Sequence, residues 1–381
     1  MNKFYYRCLQ GCYWMLYSAS FGYLTYYLGE LEFSDSAIGI ITAGFGLMGI
    51  ILQPIVGRFA DRPENGWKKY LVPMIFMALI AALIQLLCPY RVITGIVAGF
   101  VTLIEGMMIS LVNQACFACG PAEDTPDYGS ARGVGSLTYA VVSISLGRLT
   151  QSLGATVIPC VQLIICLLML FVTTKLPCVM REKENAVRQK KEAFFKKYPS
   201  MLPVFIGLNF LMIFHCTTTN YMIKITDRIG GDSETMGIAL AVSAIAELPI
   251  MFTYGKIAKR FSTNMLLTVS GVFFIIKGLF YIFATNVFGI YIGQCFQMLS
   301  FAIFANAYVY FANENTEGQD ATTGQAYMAI TTSIGNVLGS LMGGFLLESF
   351  SVTVMSTVSL LFAVLGTIIL FAYSLFNTRR E

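Results

Sequence analysis

The sequence predicts an all-α integral membrane protein whose twelve transmembrane helices form two pseudo-symmetric bundles of six. Three observations predict this fold class. The 381 residues are 56% hydrophobic and 12% charged, with a mean hydropathy of +0.69, whereas soluble domains carry about 25% charged residues. The apolar residues fall in runs of about 20, the length at which a helix crosses a bilayer. A short basic break between two runs recurs once, 198 residues later.

The apolar runs are grouped six and six around one charged segment. We therefore expect an N-terminal bundle over 1–174, a cytoplasmic linker over 175–201 and a C-terminal bundle over 202–381. The first run is too long for the apolar region of a signal peptide, so we interpret it as a transmembrane helix. The predicted spans are 8–29, 37–57, 70–88, 92–115, 130–152, 155–174, 202–223, 236–257, 264–285, 288–312, 324–347 and 352–376.

The two halves share a turn-rich loop at a fixed offset, which indicates an internal duplication. The first copy contains Gly57, Asp61, Arg62, Lys68 and Lys69. The second copy contains Gly255, Lys256, Ile257, Ala258, Lys259 and Arg260. Gly39 and Gly237, in the helices before the loops, are also 198 residues apart. Repeats of this kind pack about an axis along the membrane normal, and we expect solute to bind near the bilayer midplane between them.

The distribution of lysine and arginine predicts the orientation in the membrane. Basic residues collect in the loop copies, the linker and both chain ends, and the opposite loops hold few of them. Short cytoplasmic loops carry this excess, so we expect both termini in the cytoplasm and the protein in the cell (inner) membrane. The net charge of +4 then reflects topology, and no nucleic-acid partner is expected.

Five ionisable residues fall inside the predicted spans, where they are costly and usually face a cavity or a partner. They are Glu105, Arg132, His215, Glu247 and Lys277. The position 198 residues before Glu247 is Gly49, so this acid belongs to one half only. We interpret Glu247 as a solute-binding or proton-binding residue, with a structural hydrogen bond as the alternative. Glu105 is the second candidate for carrying a proton.

Polar and aromatic side chains form stripes on several predicted helices. The stripe on helix 5 begins at Arg132 and continues at helical spacing with Ser136, Tyr139 and Ser143. The other candidates are Asn113, Gln114, His215, Gln294, Gln297 and Thr332. Amides, hydroxyls and rings suit an uncharged ligand with several hydroxyl groups. The alternative for each is a hydrogen bond between helices.

The first loop resembles the signature loop between helices 2 and 3 of the major facilitator superfamily, although two extra residues precede its lysine pair. The resemblance implies that Asp61 acts as a gate latch, with Arg62, Lys68 and Lys69 in the same gating loop.

A second resemblance, to the branch of oligosaccharide:proton symporters that includes the lactose permeases, covers most of the chain. It rests on Ile38 through Pro54, Tyr128 through Arg132, and Ala246 through Leu248. It implies that Arg132 and Glu247 hold sugar hydroxyls and that Tyr139 replaces a sugar-stacking tryptophan.

The chain departs from this branch at other functional positions. The helix 4 carboxylate of the branch falls on Gln114, and its helix 10 histidine and acid fall on Gln297 and Ser300. Its charge pair between helices 7 and 11 falls on Thr218 and Thr332, which are both neutral. One buried charge without the other would be costly, so the two are expected to be lost together.

These features predict a secondary active transporter, not an enzyme, that works as a monomer by alternating access and needs no cofactor or metal. The expected cargo is a small neutral polar solute, a sugar or oligosaccharide. Coupling to protons is left open: in a symporter Glu247 would carry the proton with Glu105 in reserve, and the alternative is a facilitator without proton coupling. Two alternatives remain open: a transporter of nucleosides or related polar metabolites, and a multidrug efflux transporter. The methionine-rich and aromatic composition suits the second alternative.

Overall fold

The computed structural model describes residues 2–60, 66–118, 128–177, 194–317 and 320–378. Within these ranges the chain is helical and contains no β-strand. Asp61 and Arg62 of the predicted gating loop, and most of the predicted linker, lie outside the described residues. Lys68 and Lys69 lie inside them, in the first turn of a helix that begins at Gly66.

The described residues of the first half form seven helices in order. They are α1 (Asn2–Tyr17), α2 (Leu24–Glu30), α3 (Asp35–Ala60), α4 (Gly66–Leu87), α5 (Arg91–Ala118), α6 (Tyr128–Leu153) and α7 (Val157–Lys175). One π-helical turn, Ser18–Gly22, joins α1 to α2. These two helices and their connection therefore occupy the place of the first predicted span.

The second half repeats this pattern after a four-residue helix. Its helices are α8 (Phe194–Lys197), α9 (Met201–Asn220), α10 (Met222–Asp227), α11 (Ser233–Ile257), α12 (Thr263–Phe283), α13 (Val287–Cys295), α14 (Phe301–Asn315), α15 (Ala321–Ser349) and α16 (Val352–Thr378). A 3-10 turn, Phe296–Met298, interrupts the span made by α13 and α14.

Ten described helices or helix pairs are long and apolar enough to cross a membrane. The two remaining predicted spans are the interrupted α1–α2 segment and the more polar α6. The arrangement confirms the predicted all-α membrane fold, and the helix count agrees with twelve spans. Large apolar side chains such as Ile51, Phe171 and Phe252 are more than half exposed, as expected for residues that face lipid.

Glycine allows close helix contacts in each half. A Cβ atom on Gly135 of α6 would lie 2.3 Å from Cδ1 of Trp14 on α1, and one on Gly335 of α15 would lie 2.6 Å from the carbonyl carbon of Met212 on α9. Both distances are too short for a side chain. Gly335 belongs to a small-residue ridge that lets α15 and α9 pack backbone to backbone, as is common in membranes.

Spatial proximity divides the chain into two compact units. The first unit comprises Met1–Asn185 and Gly231–Ile245, and the second comprises Ala186–Gly230 and Ala246–Glu381. The beginning of α11 joins the first unit because Ser233 donates to the carbonyl of Gly147 at 3.1 Å and Arg148 pairs with Glu234 at 2.8 Å. The sequence-based boundaries at 174 and 202 stay a prediction.

Candidate functional site

Arg132 is held in the first unit by an aromatic ring and a hydroxyl group. Its guanidinium carbon lies 3.7 Å from the centre of the Trp14 ring, and Nη1 donates to Oγ of Ser136 at 2.8 Å. Stacking over tryptophan is the most favourable cation–π geometry. Because Ser136 is one helical turn after Arg132 and is buried, it fixes the direction of the guanidinium. The predicted stripe of α6 thus presents an oriented, half-buried cation.

Aromatic side chains of α1 continue from Trp14 towards Tyr139. The rings of Trp14 and Tyr17 are 5.2 Å apart, Tyr17 stacks on Phe21 at 5.0 Å, and Tyr17 lies 6.4 Å from Tyr139. All four of these rings are half-buried, so each keeps part of its surface accessible. We call Trp14, Tyr17, Phe21 and Tyr139 the aromatic shelf. It offers apolar faces beside the Arg132 donor.

An amide pair joins the middle of α1 to α5. Gln10 is fully buried and donates to the hydroxyl of Tyr6 at 2.9 Å and to Oδ1 of Asn113 at 3.1 Å. Asn113 and its neighbour Gln114 are half-buried. Oε1 of Gln10 has no hydrogen-bond partner among the described residues. The predicted candidate Asn113 is therefore engaged by a residue of α1.

Glu105 on α5 is fully buried, and no donor in the described part of the chain makes a well-formed hydrogen bond to its carboxyl oxygens, although the Ser20 hydroxyl interacts with them. Tyr13 donates to the backbone carbonyl of Glu105 at 3.3 Å, not to its carboxyl group. An ionised carboxylate without a partner is very costly to bury. This environment favours the neutral, protonated form of Glu105.

Glu247 belongs to a chain of three buried side chains in the second unit. Nε2 of Gln297 donates to Oε1 of Glu247 at 2.9 Å, and the ammonium of Lys277 donates to Oε1 of Gln297. The three residues are 8%, 4% and 1% exposed in the order Glu247, Gln297, Lys277. The amide therefore connects a carboxylate to an ammonium group that neither the polar stripes nor the resemblance assigned to a site.

The remaining predicted residues of the second unit have more local contacts. The ring of His215 stacks on Phe301 at 4.4 Å, and its Nδ1 has no hydrogen-bond partner among the described residues. Gln294 is buried and donates to the sulfur of Met222 at 3.7 Å. Thr332 is half-buried, and its carbonyl accepts from the thiol of Cys216 at 3.7 Å. These contacts do not join the three residues to the Glu247 chain.

Among the described residues of the two loop copies, Lys68 is half-buried, and Lys69, Gly255, Lys259 and Arg260 are exposed. Gly57 lies in the last turn of α3, and the ammonium of Lys68 donates to the carbonyl of Leu176 after α7. Gly255 lies near the end of α11, and Lys259 and Arg260 follow in an exposed turn. Lys68 thus connects the beginning of α4 to the beginning of the predicted linker.

The end of that linker is held by a charged cluster. Lys197 of α8 pairs with Asp320 at 2.8 Å and with Glu317 at 2.7 Å, and the hydroxyl of Tyr198 donates to Asp320 at 2.9 Å. The hydrogen bonds to Asp320 and Glu317 raise the pKa of the Lys197 ammonium well above its usual value. The described residues contain no group of three or more histidine, cysteine or acidic side chains that could hold a metal ion.

Sequence reasoning missed Gln10, Trp14 and Lys277 as site residues. Gln10, Trp14, Tyr17 and Phe21 follow each other at spacings of four, three and four residues, which places them on one helix face. Trp14 is also one of only two tryptophans in the chain. That spacing was a usable signal. Lys277 was recognised as a buried charge, but its partner lies 20 residues away on another helix and has no periodic relation to it.

Three comparisons with known proteins bear on this arrangement. The sequence model of the MFS_1 like family matches residues 6–358. A maltose permease of Geobacillus stearothermophilus is 24% identical over 343 residues, covering 88% of this chain and 85% of the permease. A solved mutant of the nucleoside transporter NupG superposes with a TM-score of 0.80 at 15% identity, over 98% of this chain and 99% of that one.

A solved POT family peptide transporter superposes with a TM-score of 0.74 at 11% identity, covering 99% of this chain and 97% of its own. At these identities the solved structures show a common fold and do not indicate a common solute.

Proposed function

Because the chain belongs to the MFS_1 like family and is a transporter of the major facilitator superfamily, we propose that it carries a small neutral solute rich in hydroxyl groups. A sugar or oligosaccharide is the proposed cargo, and alternating access of two six-helix bundles is the proposed mechanism. The maltose permease relative supports this class of solute. The observation that carries the proposal is the stacking of Arg132 on Trp14.

This pair combines the two kinds of group that recognise a sugar. The guanidinium has five N–H donors in a fixed fork that suits hydroxyl oxygens, and one of them donates to Ser136. The aromatic shelf offers ring faces against which the C–H faces of a pyranose pack. Because Trp14 and Ser136 hold Arg132 in one orientation, little side-chain entropy is lost when a solute binds.

Glu247 supplies the complementary acceptor in the second unit. A carboxylate accepts hydrogen bonds and donates none, so it is suited to the hydrogen atoms of hydroxyl groups. Arg132 in the first unit is an oriented donor and Glu247 in the second unit is an oriented acceptor, and a solute rich in hydroxyl groups can both accept and donate hydrogen bonds. We propose Arg132, Ser136, Tyr139, Asn113 and Glu247 as solute-binding residues.

Nucleosides are the second candidate cargo. The likeness to NupG shows the fold alone, but the shelf itself favours this class as well. Tyr17 and Phe21 stack face to face at 5.0 Å, and a flat base could extend such a stack. Ribose hydroxyls, like those of a sugar, both donate and accept hydrogen bonds. A binding experiment is therefore needed to distinguish a sugar cargo from a nucleoside cargo.

We propose that both termini lie in the cytoplasm and that the protein belongs to the cell membrane, as the distribution of basic residues favours. For proton symport we propose Glu105 as the carrier, since no donor in the described structure makes a well-formed hydrogen bond to its carboxyl group. Glu247 already shares a hydrogen bond with Gln297. Its role as a proton carrier stays a prediction.

A thermal-stability panel on the purified protein tests the cargo. Maltose, trehalose, uridine, adenosine and tetraphenylphosphonium are added separately, and a ligand at about 100 times its Kd stabilises the native state by about 2.7 kcal/mol. We expect stabilisation by a disaccharide and none by the cation. Stabilisation by nucleosides alone would replace sugar by nucleoside, and stabilisation by the cation alone would overturn the proposal.

A matched pair of arginine variants connects the panel to the site. In Arg132→Lys the charge is kept but the fork and the stacked plane are lost, so ligand stabilisation should disappear. Arg91→Lys is the control, since Arg91 is 59% exposed and pairs with Glu32 at 2.9 Å. Equal ligand responses of the two variants would exclude Arg132 from the site.

A further inference from the structure

Three helices bring Lys277, Gln297 and Glu247 together inside the second unit. Glu247 lies midway along α11, Lys277 lies in the last third of α12, and Gln297 lies in the 3-10 turn between α13 and α14. Ser270 of α12 donates to the carbonyl of Ser300 at 2.9 Å, which holds the interrupted segment against α12. The interruption thus places the Gln297 amide between the two charged groups.

The side-chain amide of Gln297 is oriented so that each of its ends faces the group of opposite charge. Its oxygen accepts from the ammonium and its nitrogen donates to the carboxylate. The amide dipole is therefore aligned with the field between the charges. Burying either ion alone would cost several kcal/mol, whereas the three-residue chain is neutral as a whole. The geometry indicates an ionised carboxylate and a protonated ammonium.

Few other titratable groups face this chain from the elements packed against it. Tyr281, one turn after Lys277 on α12, has its ring centre 5.6 Å from the ammonium. His215 on α9 interacts electrostatically with Lys277, and its ring stacks on Phe301 at 4.4 Å and lies tilted to Phe274 at 5.7 Å. In its described part, α16 contains Tyr373 and no acidic or basic residue. On α14, which also packs against α12, the acid is Glu314, and it accepts at 2.8 Å from Thr263, the first residue of α12. Glu247 is therefore the acid that connects to Lys277 through Gln297.

We propose that Lys277 is a positioning and specificity-determining residue. Through Gln297 it keeps Glu247 ionised and oriented as an acceptor for solute hydroxyl groups, and its positive charge disfavours cationic solutes at that acceptor. This inference rests on the proposed function, in which Glu247 contacts the solute. It explains how an intramembrane acid serves a neutral cargo, since the carboxylate is already compensated by a fixed internal cation.

The first test needs no solute and measures thermal unfolding of the full chain between about pH 5.5 and pH 8. In Lys277→Met the carboxylate is left without a counter-charge, and the native state holds its proton more tightly than the unfolded chain does. The unfolding free energy should then fall as pH rises. In Glu247→Gln the lone ammonium is left, the native state binds fewer protons, and stability should rise with pH.

The double variant Glu247→Gln with Lys277→Met carries neither charge. Its unfolding free energy should therefore show neither of the two pH dependences. Lys196→Met, which removes an exposed lysine of α8, is the control for a change in net charge. Opposite slopes in the two single variants that cancel in the double variant support the proposal. If the unfolding free energy of both single variants changes with pH as it does in the wild type, the proposal is overturned. If neither single variant folds, recovery of the double variant supports the pairing, and a double variant that also fails to fold contradicts it.

The second test measures specificity by ligand-induced stabilisation with maltose, uridine and tetraphenylphosphonium. In Lys277→Met the affinity for the organic cation should increase at least about tenfold and the affinity for the neutral ligand should fall. An unchanged cation affinity contradicts the specificity role. If neither neutral ligand stabilises the wild type, the proposed function fails, and the pH slopes still decide whether Lys277 compensates Glu247.

Discussion

Tyr23 and Tyr221 hold equivalent positions in the two halves of the chain, and each donates a buried hydroxyl to the carbonyl of a serine. Tyr23 bonds to Ser143 of α6 at 2.6 Å, and Tyr221 bonds to Ser340 of α15 at 2.7 Å. The tyrosines are 198 residues apart and the serines 197. The duplication that the loop copies indicated therefore extends to hydrogen bonds in the interior.

Both tyrosines also mark a break in the helical backbone. Tyr23 has φ −108° and ψ 6°, and Tyr221 has φ −105° and ψ 27°. Each break separates a long helix from a short one, α1 from α2 and α9 from α10. The hydroxyl bond of each tyrosine fixes the bend to a neighbouring helix, so the bend is a built-in feature of the repeat.

We predict that Tyr23→Phe and Tyr221→Phe each lower the free energy of unfolding by about 1 kcal/mol, because a buried carbonyl loses its tyrosine donor. Tyr310→Phe serves as the control, since the Tyr310 side chain is 39% exposed. Unfolding is followed by thermal denaturation in detergent. A result in which the control loses as much stability as the two buried variants would remove the proposed role of these bonds.

We predict that Gly335→Ala is destabilising by about 1–3 kcal/mol, the usual cost of overpacking. The new Cβ atom would meet backbone atoms of Met212 at 2.6 Å and 2.8 Å, and a backbone cannot move aside as a flexible side chain can. Gly44→Ala is the matched control, because nothing lies within 4 Å of a Cβ atom there. Alanine should stabilise that helix position by up to about 1 kcal/mol. Equal melting temperatures of the two variants would contradict the prediction.

The helical fold was predictable because its signal is local. Each long apolar run, such as the one that forms α4, predicts a membrane-spanning helix by its own composition. The two loop copies predict the duplication in the same way. The breaks at Tyr23 and Gln297 were not predictable in the same way. They depend on hydrogen bonds to residues more than twenty positions away, such as Ser143 and Ser270, which no local pattern records.

The same distinction explains the candidate site. Arg132, Ser136 and Tyr139 share one helix, so their spacing placed them on one face, and the bond between Arg132 and Ser136 follows from that spacing. Trp14 and Lys277 act across helices. Their contacts depend on how close neighbouring helices approach, which is set by packing at residues such as Gly135. Periodicity identifies which residues share one face of a helix, but it does not identify which residues of a neighbouring helix pack against that face.

We predict that Trp14→Ala weakens binding of the transported solute about 5–30-fold, which corresponds to about 1–2 kcal/mol from the stacked guanidinium and the lost ring face. Trp14→Phe should keep part of this affinity, because a smaller ring remains under Arg132. Trp67→Phe is the control, since it changes the other tryptophan of the chain, which is fully buried in α4. Binding is measured by ligand-induced thermal stabilisation. If Trp67→Phe bound the solute more weakly than both Trp14 variants, the proposed role of Trp14 would be contradicted.

We predict that Glu105→Gln abolishes accumulation of solute driven by a proton gradient, while exchange of solute between the two sides of a vesicle continues. The amide has nearly the same shape as the carboxyl group but cannot release a proton at this buried position. The Ser20 hydroxyl, which interacts with the carboxyl group, can hydrogen-bond an amide as well, so the change should cost little stability. Glu32→Gln provides the control, because the Glu32 side chain is 83% exposed. Both variants are reconstituted in vesicles, and uptake of labelled sugar is followed after an imposed pH step. Undiminished accumulation in Glu105→Gln would exclude this residue as the proton carrier, and loss of both accumulation and exchange would assign it to the solute pathway instead.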